Sequence, residues 1–200
     1  MTERCVLLDI GGVLEITPPT GWGARWERRL GLPFGELNRR LADVWAAGSV
    51  GAITEGQVGR RIAERLGLDD AALAAFLGDL WEQYLGTANE ELIDHVRGLR
   101  GRCRLGILSN SFVGAREREE RAYAFGSLVD EIVYSHEAGL LKPDPAVFAL
   151  ACDRLGTRPA DCLFVDDHGP HVAAARAAGL HAVHFTGNAG TISAIGEFLK

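Results

Sequence analysis

The run Cys5-Val6-Leu7-Leu8 has no polar residue within it and empties directly into Asp9-Ile10-Gly11-Gly12. A strand with one wet face alternates apolar and polar residues. Four apolar residues in succession are instead the pattern of a central parallel strand covered on both faces. Such a strand demands neighbouring strands and a helical layer on each side. It also delivers one carboxylate into a glycine turn, where Asp9 can serve as a nucleophile or metal ligand, or simply cap the turn.

The remaining chain supplies what that strand requires. Residues 104–108 form a second apolar run, ending in Ser109-Asn110-Ser111. Residues 131–135 read as a third strand, Cys162-Leu163-Phe164-Val165 as a fourth ending in Asp166-Asp167, and 181–185 as a last one. Helical patterns separate them: from Asn89 to Leu99, from the Lys142-Pro143-Asp144-Pro145 loop through Leu155, from Gly169-Pro170 onward with Pro at the first helical position, and over 191–199. Strands alternating with helices predict an α/β fold, a parallel sheet between two helical layers with right-handed crossovers. Ligands of such sheets bind at the carboxyl ends of the strands, where Asp9, Ser109 and Asp166-Asp167 would converge.

Residues 16–85 break this rhythm. Their periodicity is helical, interrupted at Pro18-Pro19, Gly31-Leu32-Pro33, Gly48 to Gly51 and Gly67, which predicts about four helices and no strand. The expected organisation is therefore a core of residues 1–15 and 86–200 with an inserted helical unit at 16–85, hinged at 16–20 and 85–89. Trp22, Trp26, Trp45 and Trp81 all fall in the insertion and are expected to form its core, with one of them lining a pocket. The charged run 116–121 reads as the solvated face of a helix, its Arg and Glu supporting one another across turns, with no functional role.

A net charge of −6 without any Lys/Arg run excludes nucleic acid and anionic membrane as partners held by electrostatics. No apolar stretch approaches the ~18 residues of a membrane span, and the first residues carry no signal-cleavage pattern. Cys5, Cys103, Cys152 and Cys162 form no C-x-x-C pair and read as small buried hydrophobes, so a reduced, cytoplasmic protein is expected. Among 21 basic residues only Lys142 and Lys200 are lysines, which singles out Lys142 in an internal loop.

Four motifs in order, Asp9 in LLDIGGVL, Ser109 in GILSNS, Lys142 in GLLKPDP and Asp166-Asp167 in LFVDDHGPHVAAARAAGL, give the chain its resemblance to the haloacid dehalogenase superfamily of hydrolases. The resemblance spans the whole chain. It implies a Rossmann-like three-layer core with an inserted α-helical cap, and a first strand flanked by the Asp-Asp strand on one side and the Ser strand on the other. It further implies a magnesium-dependent phosphohydrolase acting on a small phosphorylated metabolite through an aspartyl-phosphate. Asp9 would be nucleophile and Mg²⁺ ligand, joined as ligands by the Gly11 carbonyl, Asp166 and Asp167. Ser109, Asn110 and Lys142 would hold the phosphoryl group, with Lys142 and Ser109 also catalytic. A dianionic ester repels a carboxylate nucleophile, so these charges are what the chemistry needs.

Gly11 departs from the pattern, because most phosphatases of this kind carry a second Asp there that protonates the leaving group. Glu15, His168 and His171 are the nearest ionisable substitutes, His171 standing where relatives commonly have Asn. Metal-free haloacid dehalogenases lack the acidic pair retained here. Phosphonoacetaldehyde hydrolases use a cap lysine, and 16–85 contains none. The branch left resembles the sugar-1-phosphate phosphatases and the phosphatase relatives like the N-terminal part of epoxide hydrolases, which points to substrates with good leaving groups. A non-catalytic protein that binds a phosphorylated ligand or a protein partner is the competing expectation. The chain is expected to be a monomer or a homodimer.

Overall fold

The computed structural model describes residues 4–200. Five strands form one parallel sheet: β1 (Cys5–Leu8), β4 (Arg104–Ser109), β5 (Glu131–Tyr134), β6 (Cys162–Asp166) and β7 (His181–His184), in the order β5-β4-β1-β6-β7. β1 lies in the middle, with Leu8 opposite Ile107 of β4 and Val165 of β6. The sheet therefore has the α/β architecture expected of it, with β1 flanked by the Ser strand and the Asp-Asp strand.

The lack of alternation in β1 follows from burial on both faces. Val6 and Leu8 pack with Leu92, Ile93 and Val96 of α5 (Glu90–Arg97) and with Ile195 of α11 (Asn188–Phe198). Cys5 and Leu7 point the other way, into Phe148, Ala151 and Leu155 of α9 (Pro145–Leu155) and Ala175 of α10 (Gly169–Ala177). Each buried aliphatic side chain here contributes about 1.5–3 kcal/mol through removal of apolar surface from water. The four cysteines are buried, as their apolar settings predict. Asp144 accepts from the Ala146 N–H and Pro145 occupies the first turn of α9, so that helix starts where its sequence signals it.

Four helices, α1 (Trp22–Arg29), α2 (Glu36–Ser49), α3 (Glu55–Leu66) and α4 (Asp70–Leu85), lie between β2 (Glu15–Ile16) and β3 (Thr87–Ala88). Their shared core gathers Trp26, Leu37, Leu41, Val44, Ile62 and Phe76, and the Trp26 indole N–H donates to Asp79 at 2.8 Å. Thr54 and Gln57 form a capping box at the start of α3. The sequence pattern predicts no strand at the join. There, β2 and β3 pair antiparallel, Glu15 opposite Ala88 and Ile16 opposite Thr87. Two-residue strands are too short to carry a period, which is why the pattern misses them.

The helices also touch the sheet domain directly. Ser135 Oγ donates to the Ser49 carbonyl at 2.8 Å, and the Val113 N–H to the Gly48 carbonyl at 3.2 Å. The charged run corresponds to α6 (Ala115–Tyr123), but its expected solvation is only partly right. Arg116 pairs with Glu137 and Arg118 with Glu55, across elements and not along the helix, while Glu119 turns inward and is 2% exposed. No described helix is long and apolar enough to cross a membrane.

Gly86, at the join, has φ 48° and ψ −142°, and a Cβ there would lie 1.5 Å from Glu15 Oε1 and 2.4 Å from the Ile16 carbonyl. Gly86→Ala is expected to destabilise the chain by roughly 1–3 kcal/mol or more in urea unfolding, through strain and steric conflict together. Gly78→Ala, in the interior of α4 with nothing within 4 Å, is the control and should stabilise by about 0.5–1 kcal/mol.

Candidate active site at the carboxyl ends of the sheet

β1 and β6 are neighbours and end level with one another, so Asp9 and Asp166 leave the sheet side by side. Lys142 reaches them from the loop before α9. Its Nζ lies 2.8 Å from Asp9 Oδ1 and 2.7 Å from Asp166 Oδ2, and its side chain is wholly buried. Asn110, just past β4, holds that loop: its Oδ1 accepts the Lys142 N–H at 2.8 Å and its Nδ2 donates to the Lys142 carbonyl at 2.9 Å. The Asn110 side chain, expected to bind substrate, is thus engaged in placing the ammonium. Ser109 sits at the end of β4, buried and at the cavity described below.

One cation between two buried carboxylates leaves a negative charge unbalanced, and the two acids divide it unequally. For Asp166, burial alone would raise the pKa. Hydrogen bonding to His171 and the Lys142 ammonium outweigh it, helped by the His168 N–H at 2.7 Å, and hold the carboxyl well below the usual range. Asp9 is pushed up to about 6 by burial, which Lys142 opposes and the neighbouring Asp166 charge reinforces. His171 Nδ1 lies 3.2 Å from both Asp166 oxygens, its ring against that of His168 with centroids 4.5 Å apart.

Asp9, Asp166 and His171 present ligand atoms that all lie within 4.8 Å of one another. Two carboxylates with a residual negative charge, one of them raised by desolvation, suit a hard divalent cation. Asp167 is not in this group: it is exposed, and its carboxylate occupies the space above Gly12, where a Cβ would lie 2.1 Å from Oδ2. Gly12 has φ 74°, so both its conformation and this close approach require glycine. Gly11 differs, since a Cβ added there would meet nothing within 4 Å.

That empty space opens into a cavity of about 310 Å³. Gly11, Ser109, Asn110 and Glu119 line it from the sheet side, with Trp22, Leu80 and Tyr84 opposite, and Glu15 at the join between them. An adjoining cavity of about 260 Å³ shares Trp22, Leu80, Tyr84 and Asn110 and adds Trp45, Trp81 and Phe112. Trp26 is buried in the helical core and Trp22 and Trp45 pack against it, as expected, while Trp22, Trp45 and Trp81 all line cavities, where one was expected.

Of the three expected proton carriers, Glu15 lines the cavity, His171 is engaged with Asp166, and His168 is exposed. Glu119 was missed. Burial raises it to about 7, against hydrogen bonding from the Tyr134 and Tyr84 phenols, with Glu15 and Asp9 adding to the rise. Glu15 is likewise raised to about 7, by burial first, opposed by the Thr17 hydroxyl and reinforced by Asp167 and Asp9. Nothing in the sequence of α6 marks Glu119 apart from its charged neighbours.

The chain is 29% identical over 207 residues to a phosphatase of Mycobacterium tuberculosis, covering 91% of this chain and 87% of that protein. It is 27% identical over 204 residues to the bifunctional epoxide hydrolase 2 of Sus scrofa, covering 90% of this chain but only 36% of that protein's length. A solved HAD family enzyme from Bacteroides thetaiotaomicron, in complex with magnesium and inorganic phosphate, superposes with a TM-score of 0.76 at 20% identity, covering 91% of this chain and 93% of that one. The family model of the haloacid dehalogenase-like hydrolases matches residues 4–179. The chain thus belongs to the haloacid dehalogenase-like hydrolases.

Proposed function

We propose that the chain is a Mg²⁺-dependent phosphomonoesterase for a small phosphorylated metabolite, with Asp9 as its nucleophile. The observation that carries this reading is the meeting of Asp9, Asp166 and Lys142 beside the cavity that Ser109 lines. The mycobacterial phosphatase and the magnesium and phosphate complex of the Bacteroides enzyme support it.

Asp9 attacks phosphorus, forming a bond from its carboxylate oxygen while the bond to the ester oxygen breaks and the alcohol leaves. Water then hydrolyses the aspartyl-phosphate, releasing inorganic phosphate and restoring Asp9. Bound Mg²⁺ supplies charge neutralisation for the phosphoryl oxygens, and Asp9, the Gly11 carbonyl, Asp166 and Asp167 are the residues we assign to hold it, with His171 adjacent. Lys142 screens the nucleophile from the dianion, and Ser109 donates to a phosphoryl oxygen. Asn110 positions Lys142. Residues 16–85 act as a cap that closes over the site and excludes water, moving about the β2 and β3 ladder. Four cysteines buried in apolar settings suit a reducing, cytoplasmic setting.

With glycine at position 11 no side chain there protonates the leaving group, which favours esters whose leaving group departs easily, such as anomeric sugar phosphates. The same glycine favours a second reading, a phosphoryl-binding protein without turnover. Hydrolysis of p-nitrophenyl phosphate separates them: turnover with Mg²⁺ that vanishes in Asp9→Asn supports the enzyme, and no turnover across a broad phosphate panel rejects it.

Since the Gly11 side is open, Gly11→Asp should fit and raise kcat on simple alkyl phosphates by ~10²–10⁴, the usual worth of a general acid, while changing aryl phosphate turnover far less. Protons and cation compete for Asp9, whose pKa is about 6. Its anionic form is lost as pH falls through that value, so the apparent Mg²⁺ constant should weaken by about tenfold per pH unit below it. A constant independent of pH between 5 and 7 would count against Asp9 as a ligand.

A further inference from the structure

Glu15 and Glu119 line the same cavity, and each is 2% exposed. Glu15 Oε1, beside Gly86, and Glu119 Oε2 have no hydrogen-bond partner among the described residues, while the Thr17 hydroxyl donates to Glu15 Oε2 and the Tyr84 and Tyr134 phenols to the Glu119 carboxyl. A buried carboxyl oxygen without a donor is costly, so two of them around one cavity point to a ligand that brings the donors. Among the described residues, no Lys, Arg or His lines this cavity. Lys142 lies next to it but is committed to Asp9 and Asp166. The cavity beside the nucleophile is thus anionic where the alcohol portion would extend.

Aromatic faces complete the arrangement. Trp22 and Tyr84 also line the cavity, and aromatic rings attract a desolvated cation. A hydroxyl would supply a donor to each carboxyl but leave its charge uncompensated in a low-dielectric space already holding Asp9. An ammonium supplies up to three donors and cancels charge as well.

We propose that the cavity selects phosphomonoesters whose alcohol carries an ammonium group, with Glu119 pairing with that group and Glu15 accepting a second of its N–H bonds. This rests on the phosphomonoesterase reading and names the substrate class for it. Sugar phosphates bearing an amine and phosphorylated amino alcohols share the required chemistry. Glu119 acts here on specificity, touching the substrate away from the reacting phosphorus.

The test uses two non-hydrolysable probes of matched size, 2-aminoethylphosphonate and n-propylphosphonate, titrated calorimetrically into the Mg²⁺-loaded protein at pH 7.5. The ammonium probe should bind tighter by roughly tenfold or more, the size of one charge-assisted hydrogen bond. Glu119→Gln, which keeps the shape of the side chain, should remove most of that ratio, and Glu15→Gln part of it. Thermal unfolding checks that each variant folds, and if Glu119→Gln does not, Glu15→Gln decides. Equal binding of the two probes, binding of neither, or an undiminished ratio in the folded variants would overturn the proposal. Aryl phosphate turnover without ammonium preference would sink this inference and leave the phosphatase standing. Ammonium preference without turnover of any phosphate would do the reverse.

Discussion

The buried ammonium of Lys142 is the interaction on which the site depends. It stands between two carboxylates at the ends of adjacent strands, 2.8 Å from Asp9 and 2.7 Å from Asp166. Taking three charges out of water costs several kcal/mol per ion, and the mutual attraction offsets that only where geometry is good and the remaining oxygens are bonded. Asp166 meets that condition through the His168 N–H and His171. Asp9 meets it less fully, with the Ile10 N–H at 2.8 Å as its further donor. The unequal pKa shifts express this difference: the better-bonded acid keeps the ammonium's charge, and the other carries the cost of burial. A carboxylate left short of compensation is one that gains most from a divalent cation or an electrophilic phosphorus.

The sheet order makes this possible, and little else in the fold could. Placing β1 between β4 and β6 brings Asp9, Ser109 and Asp166 to one edge without any long loop having to position them. The one group from outside the sheet, Lys142, is fixed by both amide atoms of Asn110. Around that polar floor the walls become aromatic, because Trp22 and Trp45 reach from the helical core they share with Trp26 to the cavities that Trp81 also lines.

Much of this was legible in the chain. The uninterrupted run Cys5–Leu8 announced a strand covered on both faces, and the alternation with helices announced the parallel sheet. The strand-end residues followed from the same rule about carboxyl ends. That Asp166 is buried against Lys142 while Asp167 is exposed beside Gly12 was beyond the sequence, since that division depends on how β6 sits beside β1. Glu119 was illegible for another reason. In an Arg/Glu run every acid looks solvated, and what buries this one is the approach of Tyr84 from α4 and Tyr134 from β5, both distant in sequence. The β2 and β3 ladder escaped because two residues carry no period.

Gly11 and Gly12 are adjacent and answer to opposite demands. At Gly12 the left-handed backbone and the Asp167 carboxylate together forbid a side chain. At Gly11 neither constraint operates, so glycine there is not required by the fold, and its consequence lies in the cavity. The volume that an acidic side chain would occupy is added to the ligand space, at the boundary between the nucleophile and the two cavity glutamates. Removing an acid at that point also removes a further carboxyl from a region where Asp9 already raises both Glu15 and Glu119, and Glu15 raises Glu119. The site therefore exchanges a fixed proton donor for room and for a lower density of negative charge. That exchange favours a substrate that brings its own polar donors to the cavity and needs little help in releasing its alcohol.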